Sequence, residues 1–342
     1  MRKHYTLLVW IGSVLGILAL AVAGYSWLSQ KQWRTEEIKA PGDTVTIGSV
    51  PTTLNSLVFI AEAQGFFSQE GLNVTLKQYA TGKQALEGMF TKDIDLAVSG
   101  DMAIVFSLFT RQDFSILATI GTSNNEFKIV ARKDKFKEPQ DLKDKRIATA
   151  KGTQMNFFLH LFLTKHGLAE RDVEISFKGA EALPLALANG EVDAISTRAS
   201  SITSAKRLLS DNAVVFEEPE LFRATFNLVA YKHFIQEKPE AVRRVLQALL
   251  KAERFFNTHR ELATRVISSK IGVDESSDWA ETELKVSLDQ SLLFTIEDQA
   301  RWAIKNKLTD KRQTPNYLDF IYPAALEAIR SKPGFYLARP AP

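Results

Sequence analysis

Small polar residues recur in this chain at the ends of short apolar runs, where each run leads into a helical pattern. Ser49-Val50-Pro51-Thr52-Thr53, Thr81-Gly82, Ser99-Gly100-Asp101, Lys151-Gly152-Thr153-Gln154 and Ser196-Thr197-Arg198 are the instances. Taken singly, Ser, Thr and Asp at such places cap helices. Taken together, they offer helix N–H groups and partial positive charge to an anionic group. Arg198 adds a planar fork suited to a carboxylate, sulfonate or similar oxyanion, its plainer reading being a surface arginine. The candidate binding residues are therefore Thr52, Thr53, Thr81, Gly82, Ser99, Asp101, Gly152, Thr153, Gln154 and Arg198, with Phe226 as a ring that could stack on a solute.

No catalytic signature accompanies this set. The patterns G-x-S-x-G, G-x-x-x-x-G-K-[ST], H-E-x-x-H and G-x-G-x-x-G do not occur. The five histidines lack metal-ligand spacing, and His160 and His166 fall on different faces of a helix. The chain has no cysteine, which removes disulfides, thiolate catalysis and Cys-ligated zinc. No cofactor or metal is expected. Net charge is +3 with both signs mixed, and no block of like charge argues for nucleic acid.

What positions the polar set is a phrase written twice. Residues 82–99 read GKQALEGMFTKDIDLAVS and residues 179–196 read GAEALPLALANGEVDAIS. Gly82/Gly179, Ala85/Ala182, Leu86/Leu183, Asp95/Asp193 and Ser99/Ser196 match at an offset of 97 to 98 residues. Each copy reads as helix, tight turn, short buried strand and small polar residue. Asp95 and Asp193, at the turns, read as structural. In open α/β sheets ligands bind beyond the carboxyl ends of strands. Two copies about one lobe apart suggest two similar lobes whose strand ends face one cleft.

The rest of the pattern agrees. Composition is that of a globular protein, with 45% hydrophobic and 24% charged residues over 342 positions. Strands are expected at 44–49, 73–78, 115–120, 127–132, 146–150, 173–177, 213–216 and 225–231. Helices are expected over 54–68 and 154–166, and an almost wholly helical tail from Pro239 to about Arg330 should pack back on the first lobe. Alternating strand and helix favours a mainly parallel sheet. Before the first strand, Arg2 and Lys3 precede an uncharged run from Tyr5 to Leu28 with Tyr25 and Trp27 near its far end. That run fits an uncleaved membrane anchor, and Ala21-Val22-Ala23 equally fits a signal-peptide cleavage site. Either way, residues from about 44 onward lie outside the cytoplasmic membrane. The expected division is 1–43 for anchor or signal plus tether, 44–131 and 226–342 for the first lobe, and 132–225 for the second, hinged near Arg132 and Phe226.

Several stretches carry a family resemblance: IAEAQGFFSQEGLNVTL (60–76), DLKDKRIATAKGTQMNFFLHLFLTKHGL (141–168), ALANGEVDA (186–194), PEAVRRVLQALLKAERF (239–255), SLDQSLLFTIEDQARWAI (287–304) and PNYLDFIY (315–322). In order and spacing they resemble the type II periplasmic binding proteins of the NMT1/THI5-like group, which take nitrate, sulfonates, taurine and thiamine precursors. The resemblance implies a two-lobed α/β receptor on the periplasmic side, delivering a small anionic solute to an ABC importer permease. Alternatives are a receptor for a thiamine pyrimidine or other heteroaromatic, and a biosynthetic enzyme on the same fold. Ser196-Thr197-Arg198-Ala199 departs from the Trp-x-Pro-like turn of many relatives, and the cysteine cluster of the enzyme relatives is missing.

Overall fold

A computed structural model of the chain describes residues 43–219, 221–272 and 282–329. The expected anchor or signal segment, residues 1–42, lies outside the described residues. Among the described residues no helix is long and apolar enough to cross a membrane.

The strands are β1 (Asp43–Ser49), β2 (Leu72–Gln78), β3 (Leu96–Gly100), β4 (Phe114–Ser123), β5 (Phe127–Arg132), β6 (Arg146–Thr149), β7 (Glu174–Phe177), β8 (Ala194–Arg198), β9 (Ala213–Phe216), β10 (Ala224–Tyr231) and β11 (Thr282–Glu283). The helices are α1 (Ser56–Ala63), α2 (Phe66–Gln69), α3 (Gly82–Phe90), α4 (Asp101–Leu108), α5 (Gln154–Lys165), α6 (Leu183–Ala188), α7 (Ala199–Leu209), α8 (Lys232–Glu237), α9 (Pro239–Thr258), α10 (Arg260–Ile271), α11 (Gln290–Lys305) and α12 (Ala324–Glu327).

Two mixed sheets form. The first has the order β11-β4-β10-β3-β1-β2 and the second β7-β6-β8-β5-β9. In each, two parallel pairs are followed by antiparallel pairs: β2-β1-β3 then β10 and β4, and β7-β6-β8 then β5 and β9. Leaving aside β11, the two sheets share one layout. Their central strands are buried on both faces, as parallel strands covered by helices must be.

The written repeat is the physical repeat. Asp95 accepts the Thr46 N–H through its carboxylate at 2.7 Å and donates its own N–H to the Thr46 carbonyl at 2.9 Å. Asp193 makes the same pair with Arg146, at 3.2 and 2.8 Å. Each Asp thus pins the start of a central strand (β3, β8) to its parallel neighbour (β1, β6). The second copy is more heavily tied, because the Arg146 side chain and the Lys135 ammonium also donate to Asp193 at 2.5–3.1 Å. The Arg146 hydrogen bond holds the Asp193 carboxyl far below the ordinary carboxylate range.

Several expectations need correction. The helix expected over 54–68 breaks into α1 and α2 at Gly65, which adopts φ 67°, a left-handed conformation glycine takes without a steric cost. β4 runs on to Ser123, beyond the expected end, because Gly121, Thr122 and Ser123 pair with Phe226, Thr225 and Ala224 of β10. β5 was expected in the first lobe, yet it pairs with β8 and β9 in the second sheet. The chain therefore changes sheets at 124–126 and returns over 217–223, rather than near Arg132 and Phe226. The tail does pack on the first sheet's helices, α9 on α1 and α2 and α11 on α4. It is not helical throughout: past α11 the chain carries Pro315 and Pro323, and Ile321 pairs with Ile116 of β4 instead.

Asp193→Ala should destabilise the protein by about 1–2 kcal/mol at pH 7, because the Arg146 N–H and the half-exposed Arg146 and Lys135 side chains lose their acceptor. The depressed carboxyl sets the pH window: this stabilisation is present above the unfolded carboxylate range and is lost as pH falls below it. Chemical denaturation at pH 7 and pH 3 checks both points. A gap between wild type and variant that does not shrink in acid would refute the assignment.

Candidate functional site

The beginnings of four helices meet at one cavity between the sheets. Its walls are Thr81, Gly82 and Lys83 at the start of α3, Gly100 and Ala103 at the start of α4, Thr153, Gln154 and Met155 at the start of α5, and Arg198, the residue before α7, together with Glu126, Phe127 and Phe226. Each of these helices follows a strand, so the shared sheet layout aims their amino termini at the same place. The cavity is partly open, and its volume is about 30 Å³, on the order of one or two water molecules.

The small volume reflects how closely the two sides approach. The Gln154 side chain, carried by the second sheet's helix α5, donates to the Thr225 carbonyl of β10 at 3.1 Å. It also lies against Gly100 of β3, where an added Cβ would stand 2.1 Å from its Oε1. A side chain at 100 would therefore require the end of the Gln154 side chain to shift. A β-bulge between Phe226 and Asn227 interrupts the register of β10 on β4 beside the cavity, a device that re-aims side chains.

Two buried charges line the cavity. Arg198 ends β8 opposite Phe127 of β5 and is 8% exposed. Burial pushes its guanidinium down, opposed by the charges of Glu126 and Glu181, yet an arginine keeps its proton. Glu126 sits on the connection from β4 to β5 and is 3% exposed. Its carboxylate accepts the Thr52 hydroxyl at 2.5 Å and the Thr53 hydroxyl at 2.8 Å. Burial pushes the Glu126 carboxyl up, and those hydroxyls with the charges of Arg198 and Lys128 pull it back.

Of the candidate residues, Thr81, Gly82, Thr153, Gln154, Arg198 and Phe226 line the cavity. Thr52 and Thr53 act through Glu126 instead, holding its carboxylate. Ser99, Asp101 and Gly152 do not line it. Ser99 is fully buried, with Gly82 packed so closely that a Cβ there would meet its Oγ at 2.7 Å. Gly152 takes the left-handed bend (φ 69°) that turns the chain from β6 into α5. Asp101 is a buried tie. It accepts from the Thr225 N–H and hydroxyl at 3.0 Å, from Gln299 Nε2 at 2.7 Å and from the Met102 N–H at 2.7 Å, and so joins α4, β10 and α11. The surface reading of Arg198 is also overturned, since the side chain is buried. Glu126 escaped the sequence reading. Its signal was a lone carboxylate between the apolar runs of β4 and β5, and its threonine partners stand more than 70 positions away.

Two outcomes follow from these burials. Burial raises the Asp101 carboxyl from 3.8 to about 6, so ionising it costs the folded state about 3 kcal/mol. The contribution is intact at pH values below the unfolded carboxylate range and is lost as pH rises through about 6. The stability of wild type relative to Asp101→Asn should therefore decline between pH 4 and pH 7.5; a flat difference would refute it. Arg198→Ala should cost stability on the order of 2–4 kcal/mol, because it leaves Glu126 buried with less compensation. Urea denaturation giving a loss below about 0.5 kcal/mol, the range of ordinary surface substitutions, would rule that out.

The chain is similar in sequence and in fold to several known proteins. A Brucella abortus (strain 2308) protein named for binding is 24% identical over 236 residues, covering 67% of this chain and 71% of its own. A Bacillus subtilis (strain 168) protein named for binding aliphatic sulfonates is 26% identical over 275 residues, covering 75% and 80%. Among solved structures, the alkanesulfonate-binding protein SsuA from Xanthomonas axonopodis pv. citri, bound to MOPS, shares the fold with a TM-score of 0.70 at 20% identity, over 83% of this chain and 99% of its own. The desulfurization enzyme DSZB shares it with a TM-score of 0.60 at 16% identity, over 84% of this chain and 100% of its own. The family described as NMT1/THI5 like matches residues 55–263, more than half of the sequence, and the chain belongs to it.

Proposed function

We propose that this chain is the extracytoplasmic solute-binding component of an ABC importer and takes a small oxyanion, of the sulfonate kind, between its two sheets. The observation that carries this reading is the convergence of four helix amino termini and buried Arg198 on one cavity. Helix N–H groups and a guanidinium are the groups that bind an acid without needing its protonation. The names of the Bacillus and Xanthomonas relatives support the same class of solute. Binding, rather than turnover, fits walls that hold no cysteine or histidine. The reading places the chain on the periplasmic side, where a permease in the membrane would receive the closed form.

A receptor for a heteroaromatic is the second reading, favoured by Phe127 and Phe226 in the same walls. The cavity must widen to admit either solute, and the chain crosses between sheets twice, as a hinged clamp requires.

Isothermal titration of residues 43–342 with short sulfonates, nitrate and an aminopyrimidine separates the readings. A sulfonate should bind and, at a hundredfold excess over Kd, raise stability by about 2.7 kcal/mol. Small-angle scattering should show a smaller radius of gyration at saturation than without solute. Gly100→Val should prevent that compaction by forcing Gln154 away, and should weaken binding at least tenfold. Binding of the aminopyrimidine alone would replace the first reading by the second.

A further inference from the structure

A second hollow shares no residue with the oxyanion cavity. It lies between α5 and α11, against the connection that returns to the first sheet, with Phe157, His160, Phe222, Arg223, Asp298 and Trp302 in its walls. Phe157 and His160 are three apart on α5, and Asp298 and Trp302 are four apart on α11, so each pair shares one face of its helix. The helix α5 packs on strands of the second sheet, and α11 packs on α4 of the first. The hollow is a groove open to solvent with a volume of about 380 Å³. Small-molecule sites run from about 300 to 1,000 Å³, and helices in plain contact leave no such space.

The groove has an aromatic floor and a charged rim. Phe157, Phe222 and Trp302 are buried, while Arg223 and Asp298 are exposed. The Phe157 ring meets Trp302 edge-on at 5.1 Å and Phe222 edge-on at 5.3 Å, and His160 lies 5.6 Å from Trp302. Rings fixed in this way offer faces and edges to a further ring. Phe222 also stacks on Phe127, a wall residue of the oxyanion cavity, at 6.1 Å, so a layer of rings parts the two hollows. The charges at the rim are unequal. Arg223 already donates to the Thr122 hydroxyl at 3.0 Å and to Glu283 at 2.7 Å. No hydrogen bond or ion pair joins Asp298 to another described residue. The charge left unanswered in these walls is therefore negative, the opposite of what an acid needs.

We propose that the groove between α5 and α11 is a second ligand site, which takes an aromatic ring carrying a protonated amine on a short arm. The ring lies on Phe157, Phe222 and Trp302, and the ammonium pairs with Asp298 at the rim. This site is independent of the oxyanion cavity, and the proposal stands whatever solute that cavity takes.

Matched probes test it by isothermal titration of the full-length protein. In 2-phenylethylammonium, 2-phenylethanol and 3-phenylpropanoate the same ring and two-carbon arm end in a cation, a neutral hydroxyl and an anion. The wild type should bind the ammonium about fivefold or more tightly than the alcohol, as a charge-assisted hydrogen bond in place of a neutral one requires. The carboxylate should bind most weakly. Asp298→Asn keeps the shape of an exposed side chain and removes its charge, so the fold should be intact. It should bring the ammonium and the alcohol within about twofold, chiefly by weakening the ammonium. No binding of the ammonium by the wild type at millimolar concentration would overturn the site. An unchanged preference for the ammonium in Asp298→Asn would overturn its placement in this groove, and tighter binding of the carboxylate by the wild type would overturn the class of ligand.

Discussion

Ser123 and Ala224 are paired across β4 and β10 at the place where both strands meet the connections between the sheets. One connection, 124–126, leads out of the first sheet and the other, 217–223, leads back. Because the strands on both sides of the crossing belong to hydrogen-bonded ladders, the two sheets can come no nearer or farther than these short stretches allow. The shared layout of the sheets then has a geometric consequence. The strand entering each sheet from the other, β5 or β10, takes the same position, antiparallel to the central strand β8 or β3. The carboxyl ends of β3 and β8 are brought to the crossing, and with them the helices that follow.

Glu126 belongs to that crossing. It is part of the shorter connection, its carbonyl accepts the Ala199 N–H at 3.0 Å, and its side chain reaches back to Thr52 and Thr53 of the first sheet's side. One residue thus ties α7 to the loop after β1 across the connection. Asp101 does the corresponding work on the other strand, fixing Thr225 at the start of β10 while Thr225's carbonyl accepts from Gln154. The network continues through Asn227 to Thr119 of β4 at 2.7–2.9 Å. Both crossing strands are therefore anchored by a buried carboxylate, and burial raises both carboxyls. Such groups favour one arrangement strongly, since a half-satisfied buried network is worse than an apolar one.

What was legible in the sequence follows the range over which each feature is specified. The repeated helix-turn-strand is local, and Asp95 and Asp193 sit where a turn needs them, so the central strands, the helices before them and their roles could be read directly. The cavity residues at helix starts were also local features. Burial was not. Ser99 and Gly100 are neighbours on one strand with opposite-facing side-chain positions, and the sequence reading named Ser99 while the cavity takes Gly100. Asp101 looked like a cap in reach of solute; its real partners, Thr225 and Gln299, lie 124 and 198 positions away. The crossing points were misplaced by a few residues for the same reason, because membership of a sheet is decided by a partner strand and not by the strand's own residues.

Arg198 shows how the local and the distant combine. Its place at the end of β8 was readable, and an arginine there suggested a cation facing open solvent. The tertiary structure instead buries it beside an acid from a strand connection 72 positions earlier. A buried cation with a buried counter-charge binds differently from an exposed one. Much of its field is already answered by Glu126, so Arg198 supplies geometry and hydrogen-bond donors more than net attraction. The remaining positive field at the cavity then comes from the helix amino termini, whose partial charges lie at the start of elements held firmly by the sheets. In this cavity the helix starts are held by the sheets, and Arg198 and Glu126 place one buried charge of each sign beside them.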